Sequence, residues 1–163
     1  MKWKRHLNLF LLVATILAAD YALAVGPDYE ALIEQAEEAI DSGNVSPDRD
    51  LKPLVEALKQ AKTDEDRRRL IDKISWMGRP DGNSPPEVKR YLLEQATPVL
   101  LKIGKIGGSA FTRGDALMAL RDMGASRSVL EQAATIAEQD PDDFVRSRGE
   151  ILRNYIKTMP AGD

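Results

Sequence analysis

The sequence contains no cysteine, and its one histidine, His6, lies in an N-terminal segment that we expect to be removed. Without a thiol or an imidazole, the remaining chain cannot build a Ser-His-Asp or a Cys-His nucleophilic site. The same absence excludes disulfide bonds and zinc sites that use thiolate or imidazole ligands. Apolar packing must therefore stabilise the protein.

A long hydrophobic run is also lacking. The apolar stretch from Leu7 to Ala19 is 13 residues long, whereas a helix that crosses a bilayer needs about 20. Basic residues in the opening MKWKRH precede this stretch, and Ala-Leu-Ala at 22–24 follows it. This pattern predicts a signal peptide over residues 1–24, cleaved after Ala24. We expect export by the general secretory route and a periplasmic or secreted protein without stable membrane insertion.

Strong positive charge is absent as well. Removal of residues 1–24 leaves 20 basic and 25 acidic residues, a net charge of −5. Such a chain repels polyanions overall, so we predict no nucleic-acid partner. Its length is that of one ordinary domain. We predict a single domain over 25–163, in which a loop at 78–86 joins helical units at 27–78 and 87–158.

Amphipathic helices account for nearly all of this domain. Apolar side chains recur at helical spacing, and no alternating run is long enough for a strand. The predicted helices are 27–41, 50–61, 63–78, 84–103, 109–123, 126–139 and 140–158. The pattern therefore predicts an all-α fold of stacked antiparallel helix pairs.

Capping residues and prolines set the expected helix boundaries. Asp50 is the expected cap of the second helix, because Pro53 is tolerated only in a first turn. Ser84 is expected to open a capping box for the fourth helix. Pro98 lies inside that helix, so either the helix kinks there or a new one begins with Thr97 as its cap.

The last helix begins with acids and continues with bases and apolar residues, as DPDDFVRSRGEILRNYI. We predict Asp140 as its N-cap, with Asp142 and Asp143 in its first turn, where carboxylates meet unpaired amides. The expected buried stripe is Phe144, Val145, Ile151, Leu152, Tyr155 and Ile156. Because this stripe would otherwise face water, we expect the helix to belong to the core.

Three helices share a sequence pattern. FTRGDALMALRDMG at 111–124 and FVRSRGEILRNYI at 144–156 both begin with Phe-x-Arg, and RRRLIDKISWMG at 67–78 ends like the first of them. Such a helix resembles the second helix of a HEAT-type repeat, so residues 51–156 resemble a short, degenerate HEAT-like α-solenoid.

The resemblance implies that Arg67, Arg113 and Arg146 bond carboxylates and carbonyls between adjacent repeats. The first two are 46 residues apart but the last two only 33, and an irregular helical bundle remains the alternative fold.

Two further features of the sequence could contact a partner. Trp76 lies beside the apolar stripe of its helix, and we expect it to be a partly buried packing residue. Acidic residues follow one side of the first helix, at Glu30, Glu34, Glu37, Glu38 and Asp41. Because like charges four residues apart repel each other, we interpret this side as a solvated face.

No motif in the sequence names a reaction. We assign no catalytic, cofactor-binding or metal-ligating residue, and we predict a non-catalytic scaffold that binds another envelope or periplasmic protein, with Arg67, Arg113, Arg146 and Trp76 as contacts between repeats or with the partner. One alternative is a cell-wall glycan hydrolase that uses only carboxylates. Another is an accessory subunit of an envelope enzyme, tethered by an uncleaved signal peptide.

Overall fold

The computed structural model describes residues 28–160, which form seven α-helices and no strand. The helices are α1 (Tyr29–Asp41), α2 (Lys52–Gln60), α3 (Asp64–Gly78), α4 (Pro86–Ile106), α5 (Ala110–Asp122), α6 (Arg127–Glu138) and α7 (Asp143–Thr158). A π-helical segment, Pro47–Leu51, leads into α2. The all-α prediction is confirmed for this part of the chain. The predicted signal peptide and the cleavage after Ala24 lie outside the described residues.

The helices pack in two layers. Each helix contacts only helices that lie one or two places away along the chain. The pairs α2–α3, α4–α5 and α6–α7 are in contact, and so are the alternate helices α1, α3, α5 and α7 in one series and α2, α4 and α6 in the other. Short connections make consecutive helices antiparallel. The two series therefore form two facing layers.

Leucine side chains from successive helices fill the space between the layers. Each helix from α2 to α7 contributes at least one fully buried leucine, for example Leu54, Leu70, Leu92, Leu117, Leu130 and Leu152. Burial of one such side chain contributes roughly 1.5–3 kcal/mol. Packing of this kind stabilises a chain that has no cysteine for disulfides.

Two predicted caps differ from the structure. Asp50 lies inside the π-helical segment, where its buried carboxylate accepts hydrogen bonds from the Ser46 amide (2.8 Å) and from Arg49 Nε (2.7 Å). The prediction that Asp50 caps α2 is therefore wrong. Pro85 precedes the first residue of α4, and Ser84 makes no capping bond there.

α4 is one continuous helix of 21 residues, so no second helix starts at Thr97. The Thr97 hydroxyl instead donates a hydrogen bond to the Leu93 carbonyl at 2.5 Å. Pro98 lies inside this helix although it has no amide hydrogen to donate.

The start of α7 is shifted by two residues from the prediction. Asp142 is the cap, because its carboxylate accepts from the Phe144 amide at 2.9 Å. Asp140 lies before the helix and is 7% exposed. Its carboxylate binds the guanidinium of Arg113 and does not cap the helix. Such a charge-assisted bond is stronger than a bond to a neutral amide, and capping rules, which consider only neighbouring residues, do not predict it.

The apolar residues of α7 divide into two stripes. Val145, Leu152 and Ile156 are buried, as predicted. Ile151 is 37% exposed and Tyr155 is 39% exposed, so the prediction of one buried stripe is wrong for these two. In a helix of 3.6 residues per turn they lie about 100° away from the buried set. Phe144, on the exposed side, is half-buried.

Candidate functional site

Arg113 links α5 to the segment before α7. Its Nε donates to Asp140 Oδ2 at 2.6 Å, and a second guanidinium nitrogen donates to Oδ1 at 2.8 Å. The remaining nitrogen donates to the Gly108 carbonyl at 2.8 Å. The side chains of Arg113 and Asp140 are only 15% and 4% exposed. The hydrogen bonds from Arg113 hold the pKa of the Asp140 carboxyl below its ordinary value.

Arg146 reaches the same residue in a different way. Its guanidinium donates to the Asp140 backbone carbonyl at 2.7 Å and forms an ion pair with Asp143 in the first turn of α7. Asp143 is almost fully exposed, so this ion pair is weak. The structure thus brings Arg113 and Arg146 together at Asp140, but only Arg113 reaches it from another helix pair.

Arg67 does not make the bridge that the resemblance implies. It lies 3.5 Å from Asp64 within α3. Asp64 makes the longer-range contact, since its carboxylate accepts from the Ser109 amide at the start of α5 at 2.8 Å. This hydrogen bond lowers the pKa of Asp64. Sequence reasoning missed Asp64 because an acid in the first turn of a helix already has a local explanation.

Exposed apolar side chains concentrate on alternate helices. In the described part of the chain, four of the five most exposed large apolar residues belong to α3, α5 and α7. Trp76 and Phe111 are 55% and 54% exposed, so Trp76 is more exposed than the packing residue expected from the sequence. We define the outer face as Arg68, Trp76, Phe111, Asp115, Phe144, Arg148, Ile151 and Tyr155.

A stack of aromatic rings and guanidinium groups lies on the outer face, near the starts of α3, α5 and α7. The rings of Phe111 and Phe144 are 4.7 Å apart between centroids and tilted by 55°. Arg68 lies over the Phe111 ring at 5.8 Å, and Arg148 lies over the Phe144 ring at 4.5 Å. Gly114 permits this packing, because a Cβ there would lie 2.8 Å from the Phe144 ring.

α5 and α7 present equivalent positions on the outer face with different charges. Asp115 and Arg148 each lie four residues after the phenylalanine of their helix. Asp115 accepts a hydrogen bond from Arg68 of α3 at 2.9 Å. The Nε of Arg148 is buried and has no hydrogen-bond partner among residues 28–160. A buried donor without an acceptor is costly, roughly 1–3 kcal/mol.

The acids of α1 also form ion pairs. Glu30 pairs with Arg69 and Glu37 pairs with Lys73 at 2.8 Å, both on α3. Glu34, Glu38 and Asp41 are exposed, as expected of a solvated face, whereas Glu30 and Glu37 are half-buried beside their partners on α3. Long side chains on α3 reach α1 because the two helices are in contact.

Four carboxylates of the described chain have pKa values that differ from the ordinary ones. Their resolved pKa shifts, at Asp50, Asp64, Glu138 and Asp140, are all downward. A general acid in a glycosidase needs a raised pKa. Nor do three or more acidic side chains within residues 28–160 converge in a way that could hold a metal ion.

No family model, no curated protein and no solved structure matches the chain. The class of the protein therefore follows from its structure alone. The described residues define an all-α protein with two helical layers. Within those residues, no helix has the length and apolar character that crossing a membrane requires.

Proposed function

We propose that the protein is a non-catalytic binding module that docks another envelope protein on its outer face. The observation that carries the proposal is Arg148, a half-buried side chain stacked on Phe144 that forms no ion pair with any residue between 28 and 160. A carboxylate from a partner would pair with the two terminal guanidinium nitrogens of Arg148, since only its Nε is buried.

The composition of the outer face supports a protein partner. Trp, Tyr and Arg are the residues most enriched among those that dominate binding energy at protein interfaces. On this face Trp76, Phe111 and Tyr155 are exposed, and the rings lie next to Arg68 and Arg148. We infer that the partner places an apolar side chain on Phe111 and an acidic side chain near Arg148.

A HEAT-like solenoid remains our proposal for the architecture. Contacts limited to neighbouring helices support it, because solenoid repeats contact only their neighbours. The bond from Arg113 to Asp140 also supports it, whereas Arg67 and Arg146 bond mainly within their own helix ends. The irregular bundle remains the alternative.

Export to the periplasm, with removal of residues 1–24, is part of the same proposal. Mass spectrometry of the protein isolated from its native cells should find a chain that begins at Val25. Recovery of the full-length chain in washed membranes would contradict this and would favour a tethered accessory subunit.

Photo-crosslinking in native cells tests the proposed surface. A benzophenone side chain placed at Phe111 or at Tyr155 should capture the same envelope protein. The same probe at Gln132, an exposed position on α6, should not capture that protein.

Two results would contradict the proposal. Equal capture from Gln132 would show that the outer face has no special role. Turnover of a cell-wall glycan by the purified protein, lost when one acid is replaced without unfolding, would establish the hydrolase instead.

A further inference from the structure

A cavity lies between α2, α3 and α4 and shares no lining residue with the outer face. Its volume is about 440 Å³, within the range of roughly 300–1,000 Å³ typical of small-molecule sites. Leu58 of α2 and Val99 and Ile103 of α4 provide buried apolar walls. Ile106, at the end of α4, lines the cavity and is 69% exposed.

The unequal lengths of two helices explain the cavity. The π-helical segment and α2 together span 14 residues and α4 has 21, so α4 is longer by about 10 Å at ~1.5 Å per residue. The cavity is lined by Leu58 and Lys59 near the end of α2 and by residues from Pro98 onward on α4. Ile106, in the last turn of α4, is therefore left uncovered beyond the end of α2.

Basic side chains surround this apolar cavity. Lys59, Arg67 and Lys102 line it, and no acidic residue does. Lys59 is paired with Glu56 at 2.6 Å, and Arg67 lies 3.5 Å from Asp64. Lys102 forms no ion pair with any residue between 28 and 160. A positive rim is notable in a protein whose net charge is negative.

We propose that this cavity binds a small anionic amphiphile, an acyl chain that carries one carboxylate. The chain would pack against Leu58, Val99 and Ile103, which favour apolar atoms. The carboxylate would lie at the rim beside Lys102 and Arg67, which attract a negative charge. The site is independent of the proposed protein-binding face.

Isothermal titration calorimetry of the full chain with two ligands of equal chain length tests the charge preference. Decanoate should bind with a stoichiometry of one, and decyltrimethylammonium should bind about tenfold more weakly, because the rim repels a cation. Equal affinity for the two ligands, or no saturable binding of decanoate, would overturn the proposal.

A matched pair of lysine variants locates the site. Lys102→Gln should weaken decanoate binding about three- to fivefold, the effect of one partly exposed ion pair. Lys105→Gln, on the same helix but outside the cavity lining, should leave the affinity within about twofold of the wild-type value. Equal effects of the two substitutions would place the binding elsewhere.

Ile106→Asp provides a second test within the cavity. The position is mostly exposed, so the variant should fold, and the added carboxylate should reduce decanoate binding more than tenfold by repulsion and loss of apolar contact. Unchanged decanoate affinity in this variant would contradict the proposed site.

Discussion

α5 and α7 begin with the same Phe-x-Arg pattern, yet their residues have different environments. The arginine of α5, Arg113, is only 15% exposed and holds Asp140 through two hydrogen bonds. Arg146, the arginine of α7, is 41% exposed and pairs within its own first turn. On the outer face, Asp115 of α5 is paired with Arg68, whereas Arg148 of α7 lacks an acceptor for its Nε.

Position in the layer explains this difference. α5 contacts α3 on one side and α7 on the other, so its polar side chains find partners on neighbouring helices. α7 contacts only α5 within its layer, as far as residues 28–160 show. A shared motif therefore does not give a shared role, because the neighbours of a helix decide what its side chains bind.

Adjacent residues on α7 should give the largest contrast in stability. Leu152 is fully buried, so Leu152→Ala should lower the free energy of unfolding by about 3 kcal/mol. Ile151 is 37% exposed, and Ile151→Ala should cost about 1 kcal/mol. Urea unfolding measures both values. Similar losses of stability for the two variants would show that Ile151 is packed as tightly as Leu152.

The two arginines that contact Asp140 should also differ in how much they contribute to stability. Arg113→Ala should lower the free energy of unfolding by about 3 kcal/mol, because it leaves a buried carboxylate without its partner. Arg146→Ala should cost only about 1 kcal/mol, since its acidic partner is exposed. If Arg146→Ala destabilised the protein as much as Arg113→Ala, the bond between Arg113 and Asp140 would contribute no more to stability than the contacts of Arg146.

The pH dependence of stability should isolate the Arg113–Asp140 pair. The pKa of Asp140 is lowered in the folded protein, so the pair contributes fully above the ordinary pKa of 3.8 and is lost as pH falls through the folded pKa. The stability difference between wild type and Asp140→Asn should therefore be constant from about pH 5 to 7 and should shrink below pH 3.8. A difference that grows on acidification would contradict this pairing.

Helical periodicity was sufficient to predict the all-α fold, because burial of one face imposes a 3.6-residue repeat on each helix. Local rules failed where a basic side chain or another amide bound the carboxylate in place of the expected cap bond. Asp140 and Asp50 both look like N-caps in sequence, but their carboxylates are bound by Arg113 and by Arg49 with Ser46.

The candidate surface was only partly predictable. Trp76 was singled out from the sequence, whereas Phe111 and Arg148 were not, because their proximity depends on how α5 and α7 align across 33 residues of chain. The glycine at 114 is a faint signal, since a close approach of the Phe144 ring requires the absence of a Cβ.

The most direct test of the proposed binding function is the affinity of the crosslinked partner for two arginine variants of α7. Arg148 belongs to the outer face, whereas Arg153 pairs with Glu138 of α6 at 2.7 Å and is 38% exposed. Arg148→Ala should weaken partner binding by about tenfold or more, as at an interface hot spot, and Arg153→Ala should change it less than about twofold. Equal affinities for the two variants would contradict the assignment of the outer face as the docking surface.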